Sequence, residues 1–559
     1  MVACNRRGAP AGAALVGRRS AGALKRVLGA SCAGGLLLVC AACSGEVDAA
    51  AQAAASAGDG ATAGPALEAL MAEVPKPDPG PHPRKGALQS RFEQVINTTL
   101  EKARRLSEGK AHAGNIDLAV CVLEVGDDPV ELVARHADRP QRPASNMKLV
   151  TTAAALVLLG PGQEFRTPFE GRGTFSGGTL TGDLVVRASG DPVWHPEGRA
   201  QERLREVAQQ LYGRGLRRIE GDLVLDEGSF LEPGPGPGWP GAAQHWADYC
   251  ARCAGFSAQG GVLWAVVTPE AAGTRARISV HPTPHGLGSR YGVETTRGGP
   301  LDVRVGATRS AVTVKGSLAA GGEPFVATFA HPDPVALFGA VLESELRAVG
   351  IALEGEIRRE RNVAIETPLP GPLAELRSSL DVLYPAINSD SNNSVADQLF
   401  LALGHTVVGR GTRDGALEAV QLALERLGVS TAGWIQVDGS GLSRHNRISA
   451  HQVTALLEAV LRGADESADV LLDSLAVAGR SGTLAKRLQG TPCEGRIYAK
   501  TGWIAGTSAL SGVAFPLDGR TLVFSILIEY PPSVGGMNTH CFKPMQDRLC
   551  SILVEEEVP

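Results

Sequence analysis

The segment 143–149 reads PASNMKL, and both fold and chemistry are predicted outward from it. Pro143 suits the first turn of a helix, and the residues that follow favour a helix as far as Leu159, where Gly-Pro-Gly ends it. Side chains spaced i, i+3 lie on one face of a helix, so Ser145 and Lys148 are expected to meet. A serine at a helix start also has free backbone N–H groups nearby. The segment therefore predicts a nucleophilic serine with a lysine as its base.

Two further short motifs follow in the order that such a site needs. Ser391-Asn392-Asn393 lies in a polar turn before a predicted helix, and Lys500-Thr501-Gly502 ends a predicted strand. Each motif alone has an ordinary explanation, namely helix capping for the first and a simple turn for the second. A lysine base must lose its proton, so its pKa must fall well below about 10.4, and burial and a second cation both lower it. Lys500 is the candidate for that cation, and together the three motifs predict a serine acyl-transfer cleft.

The remaining pattern predicts a mixed α+β domain. Apolar periodicity indicates helices over 394–403, 415–427 and 450–461, and strands over 496–501, 508–515 and 521–528. Between the first two motifs, residues 168–374 alternate short apolar segments with Gly- and Pro-rich turns. This texture predicts one or two inserted β-rich domains.

The three motifs and their surroundings resemble the penicillin-binding protein 4 type of serine D-alanyl-D-alanine carboxypeptidase/endopeptidase, low-molecular-mass class C. The resemblance covers roughly residues 90–550. It rests on PASNMKL at 143–149, DGSGLSR at 438–444, VAG at 477–479, GTL at 482–484, AKTG at 499–502, GDL at 182–184, GDP at 190–192 and RIEGD at 218–222. It implies a penicillin-binding/β-lactamase-like transpeptidase domain, an antiparallel sheet with helices, interrupted by a large β-rich insertion. It also implies peptidoglycan stem peptides as substrates, β-lactams as covalent inhibitors, and no cofactor.

The resemblance also implies a role for each residue of the motifs. The implied catalytic residues are Ser145 as nucleophile, Lys148 as base and Ser391 as proton relay to the leaving amine. The implied substrate-binding residues are Asn393 for the donor peptide, Lys500 for electrostatic support, Thr501 for the terminal carboxylate, Gly502 for room beside the substrate chain, and Trp503, whose backbone N–H would share the oxyanion with that of Ser145.

The chain departs from the family pattern at two positions. Trp503 stands where Ser or Thr is usual, and an indole cannot accept a hydrogen bond from a substrate or replace a hydroxyl. We expect this to weaken recognition of a terminal carboxylate and affinity for β-lactams, and to affect cleavage of internal cross-links less. Asn392 stands where Asp is commoner, with little expected consequence.

The N-terminus predicts export. Basic residues at 18–26 precede an apolar run over 27–42, which is shorter than the about 20 residues of a membrane span and fits a signal peptide. Residues 39–44, VCAACS, resemble a lipobox with Cys43 as the lipidated residue, although Cys40 stands where Leu is usual; ordinary signal-peptidase cleavage is the alternative. We therefore expect a periplasmic protein anchored to the membrane by lipid. In that oxidising compartment some of the remaining cysteines are expected to pair.

A chain of 559 residues exceeds one hydrophobic core, and its composition divides it into five ranges. The ranges are 1–43 for the signal peptide, 44–87 for an Ala/Gly/Pro-rich disordered tether, 88–167 for the first part of the catalytic domain, 168–374 for the insertion and 375–559 for the second catalytic part.

Other function classes fit less well. A net charge of −5 and 4% aromatic residues argue against nucleic-acid binding. The sequence contains neither G-x-S-x-G nor H-E-x-x-H, and the spacing from Cys250 and Cys253 to His281 and His285 is too long for a zinc finger. Two alternatives stay open: a catalytically weak or inactive peptidoglycan-binding lipoprotein, and a β-lactamase-like hydrolase, which needs a carboxylate to activate the deacylating water.

Overall fold

The computed structural model describes residues 85–108, 115–228, 230–231, 234–365, 369–463 and 466–555. The predicted signal peptide with Cys43, and the tether up to residue 84, lie outside these ranges. Within them, no helix is both long enough and apolar enough to cross a membrane.

Helices and strands alternate along the chain. The helices are α1 (Lys85–Ser107), α2 (Met147–Leu159), α3 (Ala200–Gly213), α4 (Pro334–Ala348), α5 (Leu380–Asn388), α6 (Asn393–Val408), α7 (Arg413–Arg426), α8 (Ala450–Leu461), α9 (Ser467–Ser474) and α10 (Lys543–Glu555). The strands are β1 (Asp117–Glu124), β2 (Val130–Arg135), β3 (Glu164–Ser176), β4 (Thr179–Arg187), β5 (Arg218–Ile219), β6 (Leu223–Asp226), β7 (Val262–Thr268), β8 (Arg277–His281), β9 (Gly288–Thr296), β10 (Asp302–Ala307), β11 (Ala311–Ala319), β12 (Phe325–Ala330), β13 (Ala352–Leu353), β14 (Ile357–Glu360), β15 (Ala374–Ser379), β16 (Ala476–Val477), β17 (Ile497–Ile504), β18 (Thr507–Ala514) and β19 (Leu522–Glu529).

One antiparallel sheet joins the two ends of the described chain, in the strand order β16-β17-β18-β19-β1-β2. Successive side chains of a strand point to opposite faces, and β1 shows this clearly. Val120 and Val122 pack in the core shared with α1 and α10, whereas Cys121 accepts a hydrogen bond from Thr454 of α8. Helices therefore cover both faces, which explains why every residue of β18 is buried.

Helix α2 lies at the centre of the helical part. Its residues from Met147 to Leu156 are all buried, as expected of a helix that is apolar on every side, and α5, α6, α7 and α8 pack around it. A short 3-10 turn over Ala144–Asn146 leads into α2 and packs against β17 and β18. The start of the helix is thereby held at the edge between the helices and the sheet.

Helix α6 runs past the end that the sequence predicts. Gly404 reads as a stop, but the helix continues to Val408 and ends at Gly409, which has a φ of 77°. A Cβ on Gly404 would lie 2.5 Å from both the Ala416 nitrogen and the Arg410 oxygen. Glycine is therefore needed there because α7 approaches the helix backbone closely, and not because the helix ends.

The segment between Lys148 and Ser391 contains the extra sheets. A seven-stranded sheet has the path β13-β5-β4-β3-β15, with β6 pairing β4 and β14, and two three-stranded sheets follow the orders β10-β11-β9 and β12-β7-β8. The predicted α+β fold with a β-rich insertion is confirmed. The insertion also carries α3 and α4, whose buried apolar faces join its core. The boundaries at 167/168 and 374/375 stay predictions. The first and last strands of this segment, β3 and β15, each extend a few residues beyond them.

Candidate active site

The turn that carries Ser145, Ala144–Asn146, is held tightly by its neighbours. Ala144 has a φ of 47°, and a Cβ on Gly441 would lie 1.8 Å from the Ala144 oxygen, so the loop 438–443 packs directly beneath the turn. The amide of Asn146, oriented so that both of its ends are satisfied, donates to the Lys500 carbonyl at 2.9 Å and accepts from the Ser511 hydroxyl at 2.6 Å. These contacts fix Ser145 against the loop on one side and the sheet on the other, while leaving it half-buried.

The Lys148 amine meets three oxygen atoms. Its Nζ lies 3.1 Å from Ser145 Oγ, 2.7 Å from Asn393 Oδ1 and 2.6 Å from the Ser440 carbonyl oxygen. The amide and carbonyl oxygens can only accept, whereas the serine hydroxyl can either accept or donate. The same three contacts therefore suit an ammonium group, which donates three times, and a neutral amine, which donates twice and accepts from Ser145.

Burial changes the acidity of both lysines. Lys148 and Lys500 are fully buried. Burial lowers the pKa of Lys148 to about 8, against the charges of Asp397 and Asp438, which raise it. Burial and the nearby Lys148 together lower the pKa of Lys500 well below its usual value, against the charge of Asp390. From the sequence, both burial and the second cation, Lys500, are expected to lower the pKa of Lys148. In the structure, burial is the main cause of the lowered pKa of Lys148.

The second motif meets the third across the cleft. Lys500 Nζ donates to Ser391 Oγ at 2.8 Å and to the Thr501 carbonyl at 2.9 Å. Ser391 has a φ of 64°, and the next residue caps α6, since the Asn392 side chain accepts from Val395 N at 3.0 Å. The strained turn thus ends in a fixed helix start, which places Asn393 at Lys148 and Ser391 at Lys500.

The remaining predicted residues line β17. Thr501 Oγ1 donates to Thr483 Oγ1 at 2.9 Å. A Cβ on Gly502 would lie 2.8 Å from the Pro143 oxygen, so glycine lets the strand approach the turn that carries Ser145. The Trp503 side chain is 60% exposed, and its Nε1 donates to the Tyr530 hydroxyl at 3.2 Å. A bulky ring therefore flanks the end of the cleft where the family pattern has a small hydroxyl.

The structure adds residues that the three motifs do not contain. Asn393 Nδ2 donates to the Tyr249 carbonyl at 2.9 Å, so the insertion reaches the site. Ser440 supplies the carbonyl contacted by Lys148, and Asp397 follows Asn393 by one helical turn. The only sequence clues to these residues are the DGSGLSR segment and the i, i+4 spacing from Asn393; Tyr249 has none.

The expected pairing of cysteines is not observed among the described residues. No disulfide bond joins any two of the described cysteines, which are Cys121, Cys250, Cys253, Cys493, Cys541 and Cys550. Except for Cys253, which is half-buried, they are buried. The five buried thiols therefore behave as small, weakly polar side chains within the packed interior.

Comparison with known proteins identifies the family. Residues 106–540 match the D-Ala-D-Ala carboxypeptidase 3 (S13) family. A D-alanyl-D-alanine carboxypeptidase of Actinomadura sp. (strain R39) is 34% identical over 415 residues, 71% of this chain and 75% of that protein. The D-alanyl-D-alanine carboxypeptidase DacB of Haemophilus influenzae is 30% identical over 402 residues, 68% of this chain and 79% of that protein.

A solved structure agrees with this result. The crystal structure of penicillin-binding protein 4 from Haemophilus influenzae has a TM-score of 0.64 and 25% identity, and the match covers 81% of this chain and 98% of that one. A further structure of that protein holds a β-lactam. The predicted resemblance is confirmed: the chain belongs to the D-Ala-D-Ala carboxypeptidase 3 (S13) family of penicillin-binding cell-wall enzymes, with the activity of a serine-type D-Ala-D-Ala carboxypeptidase/endopeptidase.

Proposed function

We propose that Ser145 attacks the D-Ala-D-Ala bond of peptidoglycan stem peptides and forms an acyl-enzyme. The observation that carries this proposal is the 3.1 Å contact between Ser145 Oγ and Lys148 Nζ, made by an amine whose pKa burial lowers to about 8. Neutral Lys148 takes the hydroxyl proton as Oγ bonds to the peptide carbonyl carbon. The backbone N–H groups of Ser145 and Trp503 bind the oxyanion.

Collapse of the tetrahedral intermediate breaks the C–N bond. The leaving amine takes a proton from Ser391, which regains one from the Lys500 ammonium in contact with it at 2.8 Å. The proton that Lys148 took from Ser145 passes to Lys500, so Lys148 is neutral again and Lys500 is again an ammonium. Lys148 then takes a proton from the incoming water, whose oxygen attacks the ester, and gives that proton to Ser145 Oγ as the ester bond breaks. Water thus supplies the two protons and the oxygen that hydrolysis requires, and the enzyme ends in its starting state.

Substrate binding is proposed for the other motif residues. Asn393 holds the peptide backbone through its amide, which in the free site contacts Lys148 and Tyr249. Thr501, at the strand edge beside Thr483, faces the end of the donor peptide. β-Lactams occupy the same cleft as covalent inhibitors, and all three motifs are in mutual contact, which disfavours the alternative of an inactive wall-binding protein.

Trp503 biases the enzyme towards internal cross-links. Its indole offers no acceptor or hydroxyl for a terminal carboxylate, and its Nε1 is directed to Tyr530. A cross-link to a lysine-type side-chain amine, unlike a terminal D-Ala, has no carboxylate on the carbon next to the cleaved bond. We infer that endopeptidase activity is the better-supported activity and carboxypeptidase activity the weaker one.

Digestion of defined muropeptides tests the proposal. Purified protein is incubated with cross-linked dimers and with pentapeptide monomers, and the products are identified by mass. The expected result is loss of dimers well before loss of terminal D-Ala, and no cleavage of either by Ser145→Ala. Cleavage of either substrate by Ser145→Ala at the native rate would show that the proposal is wrong.

We further propose that the protein is exported and anchored through Cys43. The basic region and apolar run before that residue support this. A fatty-acid label should enter the native protein in cells and not Cys43→Ser. Equal labelling of both would leave ordinary signal-peptide cleavage as the answer.

A further inference from the structure

Asp397 is a buried carboxylate that the proposed mechanism does not use. It lies on α6, four residues after Asn393, and is 3% exposed. Its Oδ1 accepts from the backbone N–H of Ser440 at 2.7 Å, whereas its Oδ2 is buried and has no hydrogen-bond partner in the described ranges. An ionised carboxylate that only Ser440 binds, and whose second oxygen has no partner, is unfavourable in such a place, so the residue needs an explanation.

Ser440 connects this carboxylate to the base. Its N–H donates to Asp397 and its carbonyl oxygen accepts from Lys148 Nζ at 2.6 Å. One residue of the loop 438–443 therefore bridges the acid to the amine. The loop has no freedom to shift, because Gly441 packs against the Ala144 backbone.

A second carboxylate in the same loop differs in its hydrogen bonding. Asp438 accepts from Gly441 N, Ser443 N, the Asn446 amide and Trp239 Nε1, at 2.7–2.8 Å. Four donors match the acceptor capacity of a carboxylate. The role of Asp438 is therefore to hold the loop 438–443 in its conformation. Among the described residues Asp397 is hydrogen-bonded by Ser440 alone, so it does not hold the loop together as Asp438 does.

The charges around Asp397 and Lys148 act on both groups. Burial, and then the charge of Asp438, raise the pKa of Asp397 to about 8, while Lys148 lowers it. The thiols of Cys250 and Cys253 stay neutral, since burial and the charge of Asp397 raise their pKa values. The other titratable or charged groups facing this cluster are Asp438 in the loop, Cys250 and Cys253 in the insertion, Lys500 on β17 with Asp390 beside it, and Arg413 at the start of α7 near Cys253.

We propose that Asp397 is a positioning residue for the reaction, which by its charge and through Ser440 sets the pH at which Lys148 can accept the Ser145 proton. When Asp397 is ionised it favours the ammonium form of Lys148, and when it is protonated it favours the neutral amine. An ionised Asp397 also stabilises the ammonium that forms as Ser145 is deprotonated. This proposal rests on the proposed roles of Ser145 and Lys148.

The pH dependence of acylation separates this role from a structural one. The second-order rate constant for acylation by a penicillin is measured from about pH 5 to pH 10 for the native protein and three variants. In Asp397→Asn, which can still accept from Ser440, the acid limb should move to lower pH and the plateau should fall. Asp397→Glu retains the charge, so its acid limb should stay at the native pH. Asp397→Ala loses the charge and the Ser440 contact, so its acid limb should move as in Asp397→Asn, with a lower plateau.

A structural role for Asp397 would give a different pH profile. If Asp397→Asn and Asp397→Ala lower the rate or the melting temperature while their acid limbs stay at the native pH, Asp397 is structural and the proposal is wrong. If neither variant folds, infrared difference spectra of the native protein decide the question. A buried carboxylic acid should then titrate between about pH 6 and pH 10, where exposed carboxyls are already ionised; no such band would overturn the proposal. Covalent labelling of Asp397→Asn at long times should still reach completion, so the loss of labelling in Ser145→Ala tests the proposed function separately.

Discussion

The acidity of Lys148 predicts how acylation responds to pH. Burial lowers the pKa of Lys148 from 10.5 to about 8, and only the neutral amine can take the Ser145 proton. At pH 7 about one molecule in ten therefore carries a competent base, against about one in three thousand for an unperturbed lysine. The lowered pKa thus raises the competent fraction by roughly two to three orders of magnitude, equivalent to about 3 kcal/mol at equal intrinsic reactivity.

The assay is the acylation rate constant for a chromogenic β-lactam as a function of pH. Since the base works in its deprotonated form, the rate constant should rise about tenfold per pH unit up to about pH 8 and then level off. Lys148→Arg keeps a cation that stays protonated, so its acylation should be lost at every pH. The reasoning is refuted if the native acid limb lies below about pH 6, or if the rate is still rising tenfold per unit at pH 10.

Three further substitutions test the packing and the specificity. Gly441→Ala adds a Cβ 1.8 Å from the Ala144 oxygen at a φ of 82°, so it should destabilise the fold by about 2 to 3 kcal/mol in urea unfolding and slow acylation; Gly428→Ala, with a φ of 68° and open space, should cost less, and equal costs would mean that the clash is absent. Gly404→Ala should destabilise by about 1 to 3 kcal/mol because its Cβ meets the α7 backbone, whereas Gly213→Ala at the end of α3, where nothing lies within 4 Å, should be neutral or stabilising; a more stable Gly404→Ala would contradict the observed approach. Trp503→Ser should raise the kcat/KM for peptides ending in D-Ala-D-Ala by about tenfold, one hydrogen bond to a charged group, and leave dimer cleavage unchanged; unchanged kinetics on both substrates would show that the indole is not the obstacle.

Local sequence rules account for much of the catalytic centre. The i, i+3 spacing places Ser145 beside Lys148, although Ser145 lies in a 3-10 turn and only Lys148 is in the α-helix. The contact survives because residues three apart also align in a 3-10 turn. The strands that carry Lys500 and its hairpin partner are likewise within a residue or two of their predicted starts, since their apolar runs are long and bounded by turn residues.

The features of the fold and site that could not be predicted from the sequence depend on contacts between distant segments. Ser391 has a left-handed backbone that nothing in its residue type demands. Gly404 has the appearance of a helix stop, but its reason is the approach of α7. Ser440 and Tyr249 contribute backbone carbonyl oxygens to the site. Every residue type has a backbone carbonyl, so the sequence does not indicate which residues supply one. Disulfide pairing is expected from the oxidising compartment alone, but no two of the described thiols form a disulfide bond.

The most direct test of the account is to locate the covalent bond formed with penicillin. Native protein and Ser145→Ala are incubated with a fluorescent penicillin, digested, and the labelled peptide is sequenced by mass spectrometry. We predict a single adduct on Ser145 in the native protein and no adduct in the variant. An adduct on Ser391 or any other residue, or equal labelling of the two proteins, would contradict the assignment of Ser145 as the nucleophile.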